Sequence, residues 1–240
     1  MTSISGVVES EFIRKIVLGE SIIPFAIDST LNGVLPWHQK FGFLSSSNPQ
    51  ADRFPGLARW LTSVESVWDS NKSNSSKLTF VNQLDYMHKL AAQFPLAPIR
   101  VVYTKSGSSL VAATVTDNNV VIDHKLYWAP VPTLEEARYL TAILNATSFT
   151  ELIRPYQSIG AFGPRDFDMY VWMPPTPSFD PTDSLHARLA SLATVAEEAV
   201  AQIDFPSDSN FQAKRKLARQ VLSNSGVDRE LNLAVKELMA

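Results

Sequence analysis

The 240-residue chain contains no cysteine, which excludes disulfides and thiolate-held metals. No apolar run approaches the roughly 20 residues that a membrane-spanning helix needs. The first residues, MTSISGVVESEFIRKIVLGES, carry acids and no uninterrupted apolar stretch, which excludes a secretory signal peptide. These absences fit a cytoplasmic protein with no membrane partner. A surplus of positive charge is missing too. The net charge is −3, so the chain as a whole does not attract polyanions, although a local basic face is enough to hold phosphates.

The usual catalytic motifs are also absent. There is no Gly-rich cofactor turn after a strand and no P-loop. Enzymes that modify an extruded adenine use an Asn/Asp-Pro-Pro-aromatic loop, whose polar groups hold the amino group while the ring stacks. Asn48-Pro49-Gln50 lacks the second proline and the aromatic; Met173-Pro174-Pro175-Thr176 lacks the asparagine and the aromatic. His38, His88, His124 and His186 are scattered, without zinc spacing. Asp166 and Asp168 would share a face of a strand, but no lysine follows to complete a nuclease-type centre. Ser108 and Ser158 lack the strand-Gly-x-Ser-x-Gly-helix context of a hydrolase. The chain alone is therefore expected to hold no catalytic residues and no metal.

What is present reads as an α+β fold. Leu57, Trp60, Leu61, Val64 and Trp68 recur at spacings of three and four, which predicts an amphipathic helix. Phe80 to Phe94 predicts a weaker helix closing before Pro95. Ile22 to Ile27 fits an edge strand around Pro24, and Asn32-Gly33 a turn. IRVVY and SLVAATV flank Lys105-Ser106-Gly107-Ser108, a hairpin signal, and VVI returns after Asp117-Asn118-Asn119, which predicts a three-stranded meander. Thr133 with Glu136 opens the clearest helix, which stops at Asn145. DMYVWM (168–173) is expected as a strand. Ser184 to Ile203 predicts a long helix capped by Thr182 or Asp183, with Leu185, Leu189, Leu192, Val195 and Ala199 in register. A terminal helical pair, Phe211 to Leu222 and Val227 to Met239, follows. The expected division is a β-rich domain with flanking helices over 1–182 and a helical segment over 183–240.

Charge is unevenly placed. Pro130 to Pro206 sums to −6 and Phe211 to Ala240 to +3. The basic tail is read as a solvated helix face. Pro155 to Gly163 mixes an amide, a hydroxyl, aromatics and two glycines between Arg154 and Arg165. Glutamine can read adenine bidentately and arginine can read guanine.

Six ordered segments carry a resemblance: IRKIVLGESIIPF (13–25), VVYTKSGSSLVAATV (101–115), VIDHKLYWAPV (121–131), EEARYLTAILNA (135–146), QSIGAFGPRDFDMYVWMPPTPSFDP (157–181) and LHARLASLATVAEEAVAQI (185–203). Their order resembles the C-terminal target-recognition region of N6-adenine DNA methyltransferases and fused restriction-modification enzymes, most strongly from Arg100 to Ile203. It is also similar to specificity subunits of multi-subunit restriction systems. The resemblance implies a DNA target-recognition module whose partners are double-stranded DNA and a methyltransferase catalytic domain or subunit. S-adenosylmethionine is expected in that missing part, and no cofactor in this chain. Met1 just before the region suggests a separated domain or a separately encoded recognition subunit. The expected DNA-binding residues are Arg154, Tyr156, Gln157 and Arg165 of the loop, Lys105 of the hairpin, and Lys72 and Lys77 on phosphates. Two alternatives stand beside it: a small enzyme of unrelated class using Asp166 and Asp168, or a protein-interaction domain.

Overall fold

Period-3.6 segments and β-branched runs settle into an α+β arrangement in the computed structural model, which describes residues 4–160, 163–164 and 166–240. In chain order come β1 (Ile13–Val17), the hairpin β2 (Ile22–Ile23) and β3 (Ala26–Ile27), β4 (Leu31–Val34), the hairpin β5 (Trp37–His38) and β6 (Gly42–Phe43), α1 (Pro55–Asn71) and α2 (Phe80–Leu84). The middle supplies β7 (Arg100–Thr104), β8 (Ala112–Val115), β9 (Val120–Ile122) and β10 (Leu126–Pro130). Then follow α3 (Leu134–Asn145), α4 (Thr147–Ile153), the hairpin β11 (Ile159–Gly160) and β12 (Gly163–Pro164), α5 (Ser184–Ala201), α6 (Phe211–Asn224) and α7 (Val227–Leu238). Among the described residues no helix is long and apolar enough to cross a membrane.

Contacts group the chain into two units. One holds residues 4–16, Leu31–Leu96 and Asn119–His124; the other holds Val17–Thr30, Ala97–Asn118 and Lys125–Ala240. This differs from the expected boundary at 182/183. The C-terminal helices do not stand apart, because Leu189, Ala193, Leu222 and Leu231 share one core with Val101, Ala112 and Ala142.

In the first unit the sheet order is β4-β1-β9, with β1 and β4 antiparallel and Ile13 opposite Val34. Asn32-Gly33, expected as a turn, lies inside β4. A Cβ at Gly33 would sit 2.4 Å from the Ile16 side chain, so a small residue suits that pairing. Helix α1 begins with Pro55 and buries Leu57 and Leu61 against Phe12, Leu44 and Ala51. Its N-terminus is capped from a distance: the Glu9 carboxylate accepts from the Gly56 and Leu57 amides at 2.8 and 2.9 Å. An anion there satisfies orphan donors and opposes the helix dipole.

Two expected outcomes follow from this cap. Burial raises the Glu9 carboxyl pKa, but hydrogen bonds from Gly56, its own amide and Leu57, with the Arg59 charge, outweigh it and hold the pKa below the ordinary value. A depressed carboxyl stabilises the fold above its unfolded pKa, and that contribution is lost as pH falls through the folded value. Glu9→Gln should therefore flatten the acid limb of stability against pH, read by urea unfolding at successive pH values. A Cβ at Gly56 would lie 2.7 Å from the Val7 carbonyl oxygen, a backbone atom that cannot swing away. Gly56→Ala should cost about 1–3 kcal/mol, as overpacked sites do; unchanged stability would mean that the Val7 segment yields freely.

The helix expected over Phe80 to Phe94 ends at Leu84. The Asp85 carboxylate accepts from the amides of Leu90 and Ala91 at 3.0 and 2.9 Å, and Met87 and His88 take positive φ. A side chain that bonds nearby amides competes with the helical ladder.

In the second unit the sheet order is β10-β7-β8, antiparallel throughout. The expected meander stops at β8, and β9 joins β1 instead. The outer edge of β8 is already occupied. The Asn145 amide accepts from Ala112 N at 3.1 Å and donates to Ala112 O at 2.9 Å, where the Phe25 amide also donates at 3.0 Å. Thr150 Oγ1 accepts from Leu110 N at 3.3 Å, and Arg219 donates to Leu110 O at 2.6 Å. Helix side chains thus take the place of a further strand.

Thr133 caps α3 by accepting from Glu136 N, and Asp183 caps α5 by accepting from Leu185 N and His186 N. Helix α5 packs on α3, α6 and α7 and buries Leu189, Ala190, Ala193, Ala196 and Val200 in the shared core. Of the expected face, Leu189 is buried and Leu185, Leu192 and Ala199 pack against the same core, while Val195 is exposed. Ala190, Ala193 and Ala196 let the helices approach closely. The expected strand at DMYVWM is a 3-10 helix, Asp168–Trp172. Phe167 and Val171, four apart, are both fully buried, which is a helical spacing.

Candidate functional site

Strand β7 runs out at Thr104 into Lys105-Ser106-Gly107-Ser108-Ser109. Gly107 takes φ 146°, a region that side-chain-bearing residues rarely enter. The turn is tied down on both sides. The Thr104 amide donates to Val111 O at 3.0 Å, the Phe167 amide to Lys105 O at 2.8 Å, and Ser106 bridges to Asp166. Across from it lies α6, whose first turn is fixed by Asn210 Oδ1 accepting from Ala213 N at 2.9 Å. Gln212, Arg215, Lys216 and Arg219 recur at spacings of three and four, so they share one helical face.

Between turn and helix, with Gly19, Glu20, Lys125 and Leu126 completing the walls, is a cleft of about 800 Å³. Among its described lining residues, Lys105, Lys125, Arg215, Lys216 and Arg219 face one carboxylate, Glu20, a surplus of four positive charges. The arginines are held by carbonyl oxygens rather than by carboxylates. Arg215 donates through Nε to Ile22 O at 2.8 Å and through Nη2 to Gly19 O. Arg219 donates to Leu110 O and, at 3.3 Å, to Asn145 O. Carbonyls orient a guanidinium without cancelling its charge. Burial, with the neighbouring Arg219 charge, pushes Arg215 down to about 10, which leaves it protonated at neutral pH. Burial lowers Arg219 as well, against the opposing pull of Asp228.

Lys105 has a second partner. Its Nζ is 3.9 Å from Asp168 Oδ1, and the same carboxylate oxygen accepts from the Tyr127 hydroxyl. Tyr127 stacks on Tyr103 with centroids 5.4 Å apart, and the Tyr103 hydroxyl accepts from Trp172 Nε1 at 3.2 Å. Burial pushes the Tyr103 hydroxyl up to about 12, with the Asp168 charge adding to it and the Trp172 hydrogen bond opposing it. Tyr127 is pushed up by burial and by its bond to Asp168. Both phenols therefore serve as neutral hydrogen-bonding groups at pH 7. Asp168 takes φ 43°, a left-handed conformation unusual for aspartate.

Of the residues expected at the DNA face, Lys105 lines the cleft. Arg154 and Tyr156 are exposed on the 3-10 turn Arg154–Tyr156 that extends α4. Gln157, expected to read a base edge, is buried with 6% of its surface exposed, so its amide is not presented to solvent. Neither its Oε1 nor its Nε2 has a hydrogen-bond partner among the described residues. Arg165 lies outside the described residues, as do Ala161 and Phe162 of the same loop. Lys72 and Lys77 belong to the other unit; Lys72 pairs with Asp69 at 2.7 Å, and Lys77 is exposed. The strand face that Asp166 and Asp168 were expected to share is not formed, because Asp168 begins a 3-10 helix. Asp168 is engaged by Tyr127 and Lys105, and among the described residues no group of three or more His, Asp or Glu is placed for a metal.

Sequence reasoning missed Lys125, Arg215, Lys216 and Arg219. The signal was there in QAKRKLARQ, whose basic residues fall on one face, but it reads equally as a solvated surface. Compared with known proteins, the chain has no matching family model and no matching curated relative.

Proposed function

We propose that the chain is the DNA target-recognition module of an adenine methylase or restriction-modification system, and that it holds double-stranded DNA by its phosphates in the basic cleft. In this proposal a separate methyltransferase domain or subunit carries S-adenosylmethionine and performs the transfer. The observation that carries the reading is the cleft's surplus of four positive charges in a chain of net charge −3. Such a concentration favours a polyanion, because each neutralised phosphate releases condensed counterions. The hydroxyls of Ser106, Ser108 and Ser109 on the same wall are further donors to phosphate oxygens. The resemblance of the ordered segments supplies the system to which the module belongs.

The test is duplex binding over a range of salt. Lys125→Ala combined with Lys216→Ala should weaken all sequences alike and flatten the plot of log affinity against log salt by about one unit per lost phosphate contact. Lys105→Ala should act in the same direction. An unchanged salt slope in the double variant rules out the cleft as the phosphate site. Incubated with duplex DNA and S-adenosylmethionine, the pure chain should yield no N6-methyladenine; transfer by the pure chain would reveal a catalytic site of its own.

A further inference from the structure

Beside the basic cleft is an exposed aromatic surface that phosphate contact does not use. Trp172 is 45% exposed and Tyr170 37%, both on the short helix that Asp168 begins. Trp172 is not a loose surface ring. Its indole donates to the Tyr103 hydroxyl, its ring stands edge-on to Tyr103 at 79°, and Tyr103 is itself stacked on Tyr127. Tyr103 and Tyr127 form a stacked pair, and Trp172 stands edge-on against it, partly open to solvent. That stack is continuous with the cleft in two ways. Tyr103 and Lys105 are two strand residues apart, about 7 Å. Asp168 joins Tyr127 to Lys105 directly.

Resting on the proposed phosphate site, we infer that the Trp172 surface is a stacking platform for an unpaired DNA base whose own backbone lies in the basic cleft. A cation joined through Asp168, Tyr127 and Tyr103 to a partly exposed indole is the kind of combination that binds nucleic acid through phosphate and base together. A base buried inside a duplex cannot present its face, so the platform selects a base that has left the stack. Stacking makes no use of base-edge hydrogen bonds, so the site tolerates any of the four bases. The phenols behind Trp172 are neutral, and the Asp168 carboxylate that Tyr127 binds is faced by Lys105 Nζ at 3.9 Å.

The experiment compares the full chain on two duplexes of equal length, one fully paired and one carrying a single bulged adenine. The wild-type chain should bind the bulged duplex roughly five- to a hundred-fold more tightly, the range for one stacked base. Trp172→Leu should erase that preference while leaving affinity for the paired duplex and its salt slope unchanged. Trp172→Phe, which keeps a ring, should retain much of the preference. Circular dichroism of each variant separates loss of stacking from loss of fold. Equal binding of the two duplexes by wild-type chain, or a folded Trp172→Leu variant that keeps the preference, overturns the platform. If paired-duplex affinity does not depend on Lys125 and Lys216, the phosphate reading fails first, and the platform fails with it.

Discussion

Asn145→Ala is expected to lower the stability of the chain by about 2–4 kcal/mol in urea unfolding, through a fall in midpoint with little change in slope. Asn145 is buried, and its side chain makes three hydrogen bonds: it accepts from Ala112 N and donates to Ala112 O and Thr141 O. Alanine removes the amide and leaves the Ala112 N–H inside the protein with no acceptor from α3. An orphaned buried donor costs more than an average hydrogen bond is worth. Asn145→Asp is the sharper variant, since it changes almost no volume. One carboxylate oxygen can still accept from Ala112 N, but the other would face the Ala112 and Thr141 carbonyl oxygens. Burial and these oxygens would raise the pKa of the new carboxyl. The variant should therefore be weakest at neutral pH and recover part of its stability as pH falls and the acid becomes a donor. Equal loss at all pH values would show that the aspartate escapes to solvent.

Gln93→Ala should produce a loss of similar size in the other unit, about 2–4 kcal/mol. Gln93 Nε2 donates to Ile122 O at 2.7 Å, and Gln93 Oε1 accepts from Ile122 N at 2.9 Å. Gln93 is buried, and so is Ile122. The local readout is amide hydrogen exchange. Protection of the Ile122 amide should fall further than that of the Arg100–Thr104 strand, which belongs to the second unit. Uniform loss of protection across both units would mean that they unfold as one.

These two amides also mark where the sequence was legible. Helices α1, α3 and α5 through α7 could be read from apolar spacing and caps, because those signals are local. Thr133 and Asp183 cap as their positions predict. The β7–β8 turn was readable for the same reason. The fate of β9 was not, because its pairing was decided by what already covered β8: Asn145, Thr150 and Arg219, 33 to 109 residues away in the chain. Asn145 ends α3 as expected, with Ala146 as the extended cap, but its side chain has a second task, pairing with Ala112 of β8. Asparagine suits both tasks, and only the neighbouring strand reveals the second. The α5 face was legible from its spacing: Leu185, Leu189, Leu192 and Ala199 pack on the core as expected, and of that set Val195 is exposed. The candidate site divides in the same way. Lys105 was found from its hairpin, whereas the α6 cations needed the fold to bring their face opposite that turn.

The carbonyl grip on Arg215 and Arg219 has a consequence for when the cleft acts. Among its described lining residues there is no histidine, the side chain that ordinarily changes charge between pH 5 and 8. Arg215, even with its affinity for protons reduced, keeps its charge to about pH 10. In the proposed phosphate-binding role, the Arg215 share of the attraction is therefore set by the fold rather than by pH near neutrality. Ionic strength is then the variable that tunes the proposed hold on phosphate, which should slacken as salt rises.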